Sequence, residues 1–367
     1  MNIVVIGAGY SGLIAAKRTA KLTNAHVTLI NARDAFVERV RMHQLSAGES
    51  LNPLPLSDLL RGTGVSLVVD TVTAIDTEAR VVTLAGSPAV PYEILVYALG
   101  SRTDPGSTPG AAEHAFTVST YEDAARLRDR LRDSQSVVVV GAGLTGIEAA
   151  TELAEARPGL KVRLVTSGAL GTALSRRGRR YLWKVVNRLG IEVVDRVKVA
   201  KVREDGVVLH DGSHVAADTV VWTTGFSVPA LAGDAGIAVD DHGRMIVDET
   251  LRSVSHPEIY GVGDAAAVRR PNGQELRMAC ATGMPSAQHA ARVIADRLRG
   301  RTPKPVQFRY FNQCVSLGRK DGLIQFVRPD DTPIGAVLTG RAAAAYKEAI
   351  VRSTIFVMRH PGARTFI

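Results

Sequence analysis

Two glycine-rich segments of this 367-residue chain share one spacing, GxGxxG. The first runs from Gly7 to Gly12 and the second from Gly141 to Gly146. In such a turn the first glycine makes a tight bend, the second lets a pyrophosphate approach the backbone, and the third lets the following helix pack closely on the strand. The helix then offers free N–H groups and the positive end of its dipole to phosphate oxygens. The spacing therefore predicts two sites for the pyrophosphate of a dinucleotide.

The sequence on either side of each turn predicts the strand and the helix that the motif needs. Residues 2–6 form a short apolar run rich in β-branched side chains, which is typical of a buried parallel strand. Residues 13–20 have the period of an amphipathic helix, and a second strand follows at 26–30. The same order returns between residues 136 and 165. Because GxGxxG is informative in this context, the repeat predicts an α/β fold with two Rossmann-like dinucleotide-binding domains.

The order of the segments predicts that the second domain is inserted in the first. A strand at 94–98 ends in Leu99 and Gly100, and a linker rich in proline, glycine and serine follows at 103–110. After the second repeat, the segment 219–225 is again a predicted strand that ends in glycine, and the segment 231–248 leads back to the first domain. The predicted boundaries are 1–106 and 233–300 for the first domain, 107–232 for the second, and 301–367 for a small C-terminal α+β region with strand segments at 315–327 and 332–338 and a helix at 342–358.

Neither repeat has an acidic residue at the end of its second strand, where Asp or Glu would bind the ribose 2′-hydroxyl. Asn31 holds that position in the first repeat and can still exchange hydrogen bonds with a ribose. Thr166 and Ser167 hold that position in the second repeat. Because no negative charge there repels a 2′-phosphate, the sequence favours neither NADH nor NADPH as the donor. Four arginines further on would either face such a phosphate or form a solvated helix face: Arg176, Arg177, Arg179 and Arg180.

Composition narrows the class of protein. The net charge of +9 comes without a nucleic-acid-binding module and with 5% aromatic residues, so we interpret it as a solvated basic surface and expect no nucleic-acid partner. Cys280 and Cys314 form no CxxC or CxxxxC pair, and no cluster has the spacing of metal ligands, so we expect neither a dithiol relay nor a metal. No apolar run approaches the ~20 residues of a membrane span, and no signal peptide is visible. We therefore expect a cytoplasmic protein that is at most peripheral at a membrane.

The order of five segments resembles the pyridine nucleotide–disulphide oxidoreductase superfamily: GAGYSG, YALG, GAGLTGIEAATELAE, WTTGF and IYGVGDAAAV. Within it the chain is most similar to type II NADH dehydrogenases and their soluble relatives. No CxxxxC follows the first helix, and 284–290 is similar to the Ala-Gln-x-Ala segment of that branch. The resemblance implies FAD in the first domain and NAD(P)H in the second. It also implies hydride transfer from NAD(P)H to FAD and electron transfer to an acceptor, chemistry in which few side chains need to be catalytic.

The resemblance also implies roles for individual residues. Glu148 is expected near the nicotinamide, although a first-turn acid would also complement the helix dipole. Gln288 is expected beside the flavin ring and the acceptor, and His43, in the flavin-lining segment 36–48, is the third candidate catalytic residue. Asp264 is expected to bind the ribityl or pyrophosphate part of FAD. The other predicted cofactor contacts are Gly7, Gly9, Tyr10, Ser11, Gly12, Asn31, Ala32, Arg33, Arg41, Gln44, Ala98, Leu99, Gly100, Gly141, Gly143, Leu144, Thr145, Gly146, Thr224, Gly225, Gly263 and Ala287.

The sequence leaves the electron acceptor open. The resemblance favours a quinone, whereas a ferredoxin-like protein or a small aromatic would suit a soluble reductase, and a redox-sensing protein similar to apoptosis-inducing factor would turn over little. Arg292 stands where the family's quinone segment usually has Gln or Glu. The terminal helix carries an apolar stripe that could lie in a membrane interface, pack on the chain itself or form a homodimer. Because this helix is short, we expect weak or no membrane contact.

Overall fold

A computed structural model of the protein describes residues 1–106, 108–270 and 272–363. The predicted domain boundary at 107 and the last four residues of the predicted C-terminal region therefore lie outside the described residues. No described helix is long and apolar enough to cross a membrane. Within the same ranges, no group of three or more His, Cys, Asp or Glu side chains is placed to hold a metal ion.

The first part of the chain builds most of a parallel sheet. Its helices are α1 Tyr10–Leu22, α2 Met42–Ala47 and α3 Leu56–Leu60, and its strands are β1 Asn2–Ile6, β2 His26–Asn31, β3 Ala35–Phe36, β4 Leu54–Pro55, β5 Val65–Val69, β6 Val72–Asp76, β7 Val81–Leu84, β8 Val90–Pro91, β9 Ile94–Tyr97 and β10 Arg102–Thr103. β1 lies between β2 and β9 and pairs in parallel with both. β6, β7 and β8 form a separate antiparallel sheet.

The next part of the chain builds a second parallel sheet of the same design. Its helices are α4 Ala111–His114, α5 Tyr121–Arg130, α6 Leu144–Ala156 and α7 Arg176–Arg188, and its strands are β11 Ala115–Phe116, β12 Ser136–Val140, β13 Lys161–Val165, β14 Glu192–Val194, β15 Val199–Arg203, β16 Gly206–Leu209, β17 His214–Ala216, β18 Thr219–Trp222 and β19 Phe226–Ser227. The strand order in this sheet is β11-β18-β12-β13-β14.

The chain then returns to the first sheet. This part contains α8 Leu231–Asp234, β20 Met245–Ile246, β21 Ile259–Gly261, β22 Ala266–Ala267 and α9 Cys280–Leu298. β21 pairs in parallel with β9 and completes the order β21-β9-β1-β2-β5. α9 packs along α1. Since residues on both sides of the second sheet build the first one, the structure confirms the predicted α/β fold with an inserted domain.

A small antiparallel sheet and a long helix form the C-terminal region. They are β23 Asn312–Ser316, β24 Gly322–Val327, β25 Pro333–Thr339 and α10 Gly340–Arg359. The segment 315–327, expected as strand, is in fact two strands joined by a turn. Gly318 has a φ of +84°, and the N–H of Leu317 donates to the carbonyl oxygen of Asp321 at 3.1 Å. Left-handed backbone favours glycine, and the polar residues Arg319, Lys320 and Asp321 that follow Gly318 are typical of a turn.

The central strands are buried on both faces, which explains why they read as continuous apolar runs. In β1, Ile3 and Val5 pack in one cluster and Val4 and Ile6 in another. The core of the second domain extends further, because it also includes Met42 and Leu45 of α2 and Val315 of β23. The first domain, the second domain and the C-terminal region therefore meet in one continuous apolar core around α2 and α6.

Candidate active site

The first glycine turn requires glycine at two of its positions. Gly7 has a φ of +93°, and a Cβ there would lie 2.6 Å from the carbonyl oxygen of Ala98. A Cβ on Gly12 would lie 1.7 Å from the carbonyl oxygen of Gly7. The turn is thus wedged between the start of α1 and the end of β9, where the predicted contact residues Leu99 and Gly100 follow Ala98.

The second turn repeats this geometry beside β18. Gly141 has a φ of +104°, and a Cβ on it would lie 3.0 Å from the Cβ of Thr224. A Cβ on Gly146 would lie 1.8 Å from the carbonyl oxygen of Gly141 and 2.6 Å from Oγ1 of Thr223. The structure therefore places Thr224 beside this turn, and Gly225 follows it directly.

The middle glycine of each turn faces open space instead. A Cβ on Gly9 or Gly143 would meet no atom of the described chain within 4 Å. Helices α1 and α6 start from these two glycines without a side-chain cap from the described residues, which leaves N–H groups of their first turns available. Leu144 and Thr145 open α6. Both turns therefore fit the pyrophosphate of a bound dinucleotide.

Asp264 lies in a polar cluster close to the first turn. A Cβ on the preceding Gly263 would lie 2.7 Å from Oγ of Ser11, so the two segments are in close approach. The Ser101 hydroxyl donates to Oδ2 of Asp264 at 2.8 Å, and the Arg39 guanidinium lies 3.9 Å from the same oxygen. The Asp264 side chain is 19% exposed. Its carboxylate is thus oriented by neighbours yet accessible, which fits the predicted role toward FAD.

Asn31 already has partners within its own loop. Its Oδ1 accepts from the N–H of Ala8 at 2.9 Å, and its Nδ2 donates to the carbonyl oxygen of Arg33 at 2.8 Å. The Arg33 side chain forms an ion pair with Glu122 of the second domain, and Ala32 is exposed. Asn31 therefore shapes the first turn directly, and a ribose contact from these three residues stays a prediction.

An ion pair that is largely buried joins the second domain to the C-terminal region. Nζ of Lys347 donates to Oε1 of Glu148 at 2.8 Å, and the N–H of Ser316 donates to the same oxygen at 3.0 Å. The Lys347 and Glu148 side chains are 17% and 12% exposed. Burial alone would raise the pKa of Glu148 and lower that of Lys347, but their attraction prevails and holds the pKa of Glu148 below and that of Lys347 above its ordinary value. Both groups are therefore charged at neutral pH.

His43 of α2 belongs to the same cluster. The residue is 4% exposed, and its Nε2 has no hydrogen-bond partner among the described residues. Burial lowers the pKa of His43 to about 4; the Lys347 ammonium adds to this effect, and the Glu148 carboxylate opposes it. The imidazole is thus neutral at physiological pH. We refer below to His43, Glu148 and Lys347 as the buried cluster.

Arg41 connects α2 to the terminal helix. Its guanidinium donates to both carboxylate oxygens of Glu348, at 2.8 and 3.1 Å, and also to Glu38 at 3.1 Å and to Oε1 of Gln44 at 3.1 Å. Gln44 is buried. Arg41 and Gln44 therefore help to hold the buried cluster in place, and their predicted contacts with a cofactor stay predictions.

Gln288 of α9 lies against the C-terminal end of the chain. It is 4% exposed, and its Nε2 donates to the carbonyl oxygens of Pro361 at 3.2 Å and Ala363 at 2.9 Å. The neighbouring Ala287 is fully buried. Burial raises the pKa of the Cys280 thiol at the start of the same helix, which agrees with a packed, protonated cysteine. The catalytic role expected for Gln288 stays a prediction.

The four arginines of α7 form an exposed face. Arg176, Arg179 and Arg180 line a shallow groove of about 440 Å³ together with Trp183, and Arg177 is exposed beside them. The opposite side of α7 packs toward β24 and β25. A contact between these arginines and a 2′-phosphate stays a prediction.

Sequence reasoning missed three residues that the structure brings into these clusters. Ser101 and Arg39 surround Asp264, and Lys347 completes the buried ion pair. Ser101 directly follows Leu99 and Gly100, which are predicted cofactor contacts, so its place in the sequence was a signal that it lies near the cofactor site. Lys347 offered none, because it is separated from Glu148 by 199 residues.

Comparisons with known proteins agree with this geometry. The pyridine nucleotide-disulphide oxidoreductase family matches residues 1–292 of the chain. An NADH dehydrogenase-like protein of Mycobacterium tuberculosis is 34% identical over 325 residues, which are 80% of this chain and 80% of that protein. A type II NADH:quinone oxidoreductase of Staphylococcus haemolyticus is 27% identical over 97% of this chain and 95% of that protein.

A solved structure shares the fold along nearly the whole chain. The sulfide:quinone oxidoreductase of Aquifex aeolicus superposes with a TM-score of 0.84 at 21% identity, and the match covers 98% of this chain and 92% of that one. At this identity the likeness concerns the fold. It supports the arrangement of two dinucleotide-binding domains followed by a C-terminal region.

Proposed function

Since this chain belongs to the pyridine nucleotide-disulphide oxidoreductase family, and is an oxidoreductase that uses FAD and NAD(P)H, we propose that its electron acceptor is a quinone. Bound FAD would supply the hydride-transfer and electron-transfer chemistry that links the nicotinamide to the acceptor. The first glycine turn and Asp264 would hold FAD, and the second turn would hold NAD(P)H. The choice of a quinone is supported by the activity named for the Staphylococcus relative, which matches nearly the full length of this chain.

The observation that carries the proposal is the buried cluster of His43, Glu148 and Lys347. Glu148 lies on α6, the helix that starts at the second glycine turn, while Lys347 comes from the C-terminal region and His43 from the first domain. Reduction of a quinone places negative charge and then protons on its two oxygens. A fixed ammonium group in a site of low polarity stabilises such charge far more than it would in water. Lys347 is held charged by Glu148 and so suits this role.

His43 would act in a different way. Because its pKa lies near 4, it is a neutral hydrogen-bonding group at neutral pH and a poor store of protons. Its Nε2 lacks a partner among the described residues and is therefore available to an acceptor oxygen. We assign His43 to orienting the acceptor and Lys347 to stabilising the charge that develops on it.

The test is steady-state turnover of the FAD-loaded protein with a short-chain quinone, with NADH and NADPH as separate donors. We expect rapid turnover, and we expect Lys347→Met to lower kcat/KM for the quinone by about a hundredfold. Lys201→Met, at an exposed lysine of the second domain, is the matched control and should behave as the wild type. A reduced protein that persists in the presence of quinone would contradict the proposal and would favour a redox-sensing role. Turnover restored by a ferredoxin-like protein alone would favour a soluble reductase.

A further inference from the structure

We propose that Glu152 is the relay residue that passes a proton from solvent to the buried cluster when the acceptor is reduced, an inference that rests on the proposed quinone reduction. Glu152 lies on α6, four residues after Glu148. Residues at this spacing share one face of a helix, with Cβ atoms about 6 Å apart. Glu155 follows three residues later and is partly exposed. The three carboxyl groups therefore form a stripe that leads from the Glu148–Lys347 pair to the surface.

The Glu152 carboxyl is buried and has an unused hydrogen-bonding position. The residue is 1% exposed, and its Oε2 has no hydrogen-bond partner among the residues that the structure describes. Nearly all buried polar atoms in proteins have such a partner, because burial without one costs free energy. An unpaired oxygen next to a redox site is what a group needs if it receives and releases a proton during turnover.

Four charged side chains act on Glu152. Glu148 and Glu155 belong to its own helix, whereas Glu49 follows α2 and Arg319 lies between β23 and β24. Arg319 pairs with Glu49 at 2.9 Å, and their side chains are 41% and 40% exposed, so this pair lies at the surface. Burial is the main influence and raises the pKa of Glu152 to about 7, with the neighbouring carboxylates adding to the shift and Arg319 opposing it. Near neutral pH the group can therefore gain or lose a proton at little cost.

The reaction requires one proton from outside the site. The balance is NAD(P)H plus a proton plus quinone giving NAD(P)⁺ plus quinol. The nicotinamide loses a hydride, which carries two electrons and one proton, while each of the two quinone oxygens gains an O–H bond. The second proton has to come from water. Lys347 would give one proton to the charged acceptor oxygen, Glu152 would restore the proton on Lys347, and Glu152 would regain one from solvent on the side of Glu49 and Arg319.

The test separates the two half-reactions of the FAD-loaded protein under anaerobic conditions. Glu152→Gln keeps the shape of the side chain but cannot take up or release a proton. Bleaching of the flavin by NAD(P)H needs no proton from water, so its rate should equal that of the wild type. Reoxidation by a short-chain quinone does need one, and we expect it to slow at least about tenfold.

The pH dependence distinguishes a relay from a structural role. In the wild type, reoxidation should slow as pH rises through about 7, because protonated Glu152 is the donor, and this dependence should be missing in Glu152→Gln. Glu152→Asp keeps a carboxyl group and should recover part of the rate together with the pH dependence. Glu192→Gln is the matched control, because Glu192 is an exposed carboxylate of the same domain that pairs with Arg163.

Two results would overturn the inference while leaving quinone reduction intact. One is reoxidation of Glu152→Gln with the rate and pH dependence of the wild type. The other is a wild-type reoxidation rate that does not change across neutral pH. This measurement uses the wild type alone, so it tests the inference even if Glu152→Gln fails to fold. A wild-type protein that quinone cannot reoxidise would instead contradict the proposed function itself.

Discussion

At the scale of single residues, the buried cluster combines one ion pair with one neutral ring. Glu148 and Lys347 keep each other charged, whereas His43 is neutral because protonation would place another positive charge in a buried site beside Lys347. The charge of the cluster is therefore fixed at neutral pH. Acid changes it, and the folded state then loses stability.

We predict that His43 accounts for part of the acid sensitivity of the fold. Its pKa is about 4 in the folded protein and near the ordinary 6.5 in the unfolded chain. Between these values the unfolded chain binds the proton and the folded protein does not, so stability is full above pH 6.5 and falls as pH decreases toward 4, by up to about 3 kcal/mol. Urea unfolding of the wild type and of His43→Leu, at about pH 7 and about pH 5, measures this contribution.

The difference in unfolding free energy between about pH 7 and about pH 5 should be smaller in His43→Leu than in the wild type by about 2 kcal/mol. Part of the acid sensitivity should persist in His43→Leu, because Glu148 also loses stabilising interactions as it is protonated. Equal differences in the wild type and the variant would show that His43 is protonated in the folded state, and our account of the buried cluster would then be wrong.

The sequence could predict residues of this site only where the signal is local. Gly7 and Gly12 follow from a motif of six residues, and Glu148 follows from its distance to the second motif. Lys347 and Glu152 could not be predicted from a local signal, since a lysine or a glutamate on an amphipathic helix is ordinarily expected to face solvent. Their burial results from the packing of the C-terminal region on α6, which no pattern in a single sequence reveals.

At the scale of elements, the two glycine turns are equivalent in shape and separate in position. Each is wedged against a neighbouring strand end through its first and third glycines and is open at its middle glycine. This explains why the strand–turn–helix units were predictable, since both the bend and the close packing are local requirements. The turn at 317–321 departs from the strand predicted across 315–327, because Gly318 and the polar residues 319–321 interrupt the apolar segments on either side.

We predict that substitutions at the two middle glycines have separable effects. Gly9→Glu places a carboxylate in the open space before α1 and should yield colourless protein, because negative charge there repels a pyrophosphate. Gly143→Glu should keep the yellow colour of FAD but lose bleaching by NAD(P)H. Visible spectra of both purified variants, before and after addition of NADH or NADPH, provide the measurement.

The two variants serve as controls for each other, because each should keep the property that the other loses. A Gly9→Glu protein that is folded and fully loaded with FAD would contradict the assignment of the first turn. Bleaching of Gly143→Glu at the wild-type rate would contradict the assignment of the second.

At the scale of the whole molecule, the terminal helix α10 packs on the chain itself. This is one of the three arrangements expected from the sequence, beside a membrane interface and a homodimer. Val351 and Met358 from its apolar stripe are buried, and Ile350 and Ile355 are partly buried. Nζ of Lys17 on α1 donates to the carbonyl oxygen of Met358 at 2.7 Å and so ties the end of α10 to the first domain. The homodimer stays a prediction.

We predict weak binding of the protein to membranes. The apolar stripe of α10 is largely used in packing, and Phe356, which is 57% exposed, is the large apolar side chain that the helix still presents. One such side chain provides too little buried area for stable anchoring. Co-sedimentation with anionic liposomes at moderate salt should therefore recover little protein, and Phe356→Ser should behave as the wild type. Strong binding that Phe356→Ser abolishes would instead identify α10 as a membrane anchor.

The most direct test of the central claim, electron transfer from NAD(P)H through FAD to a quinone, is an anaerobic titration followed by the visible spectrum. The purified protein should be yellow, and NADH or NADPH should bleach the flavin. Addition of a short-chain quinone should then restore the colour, with one quinone reduced for each nicotinamide oxidised. Protein that binds no flavin, or a bleached flavin that quinone does not reoxidise, would contradict the account.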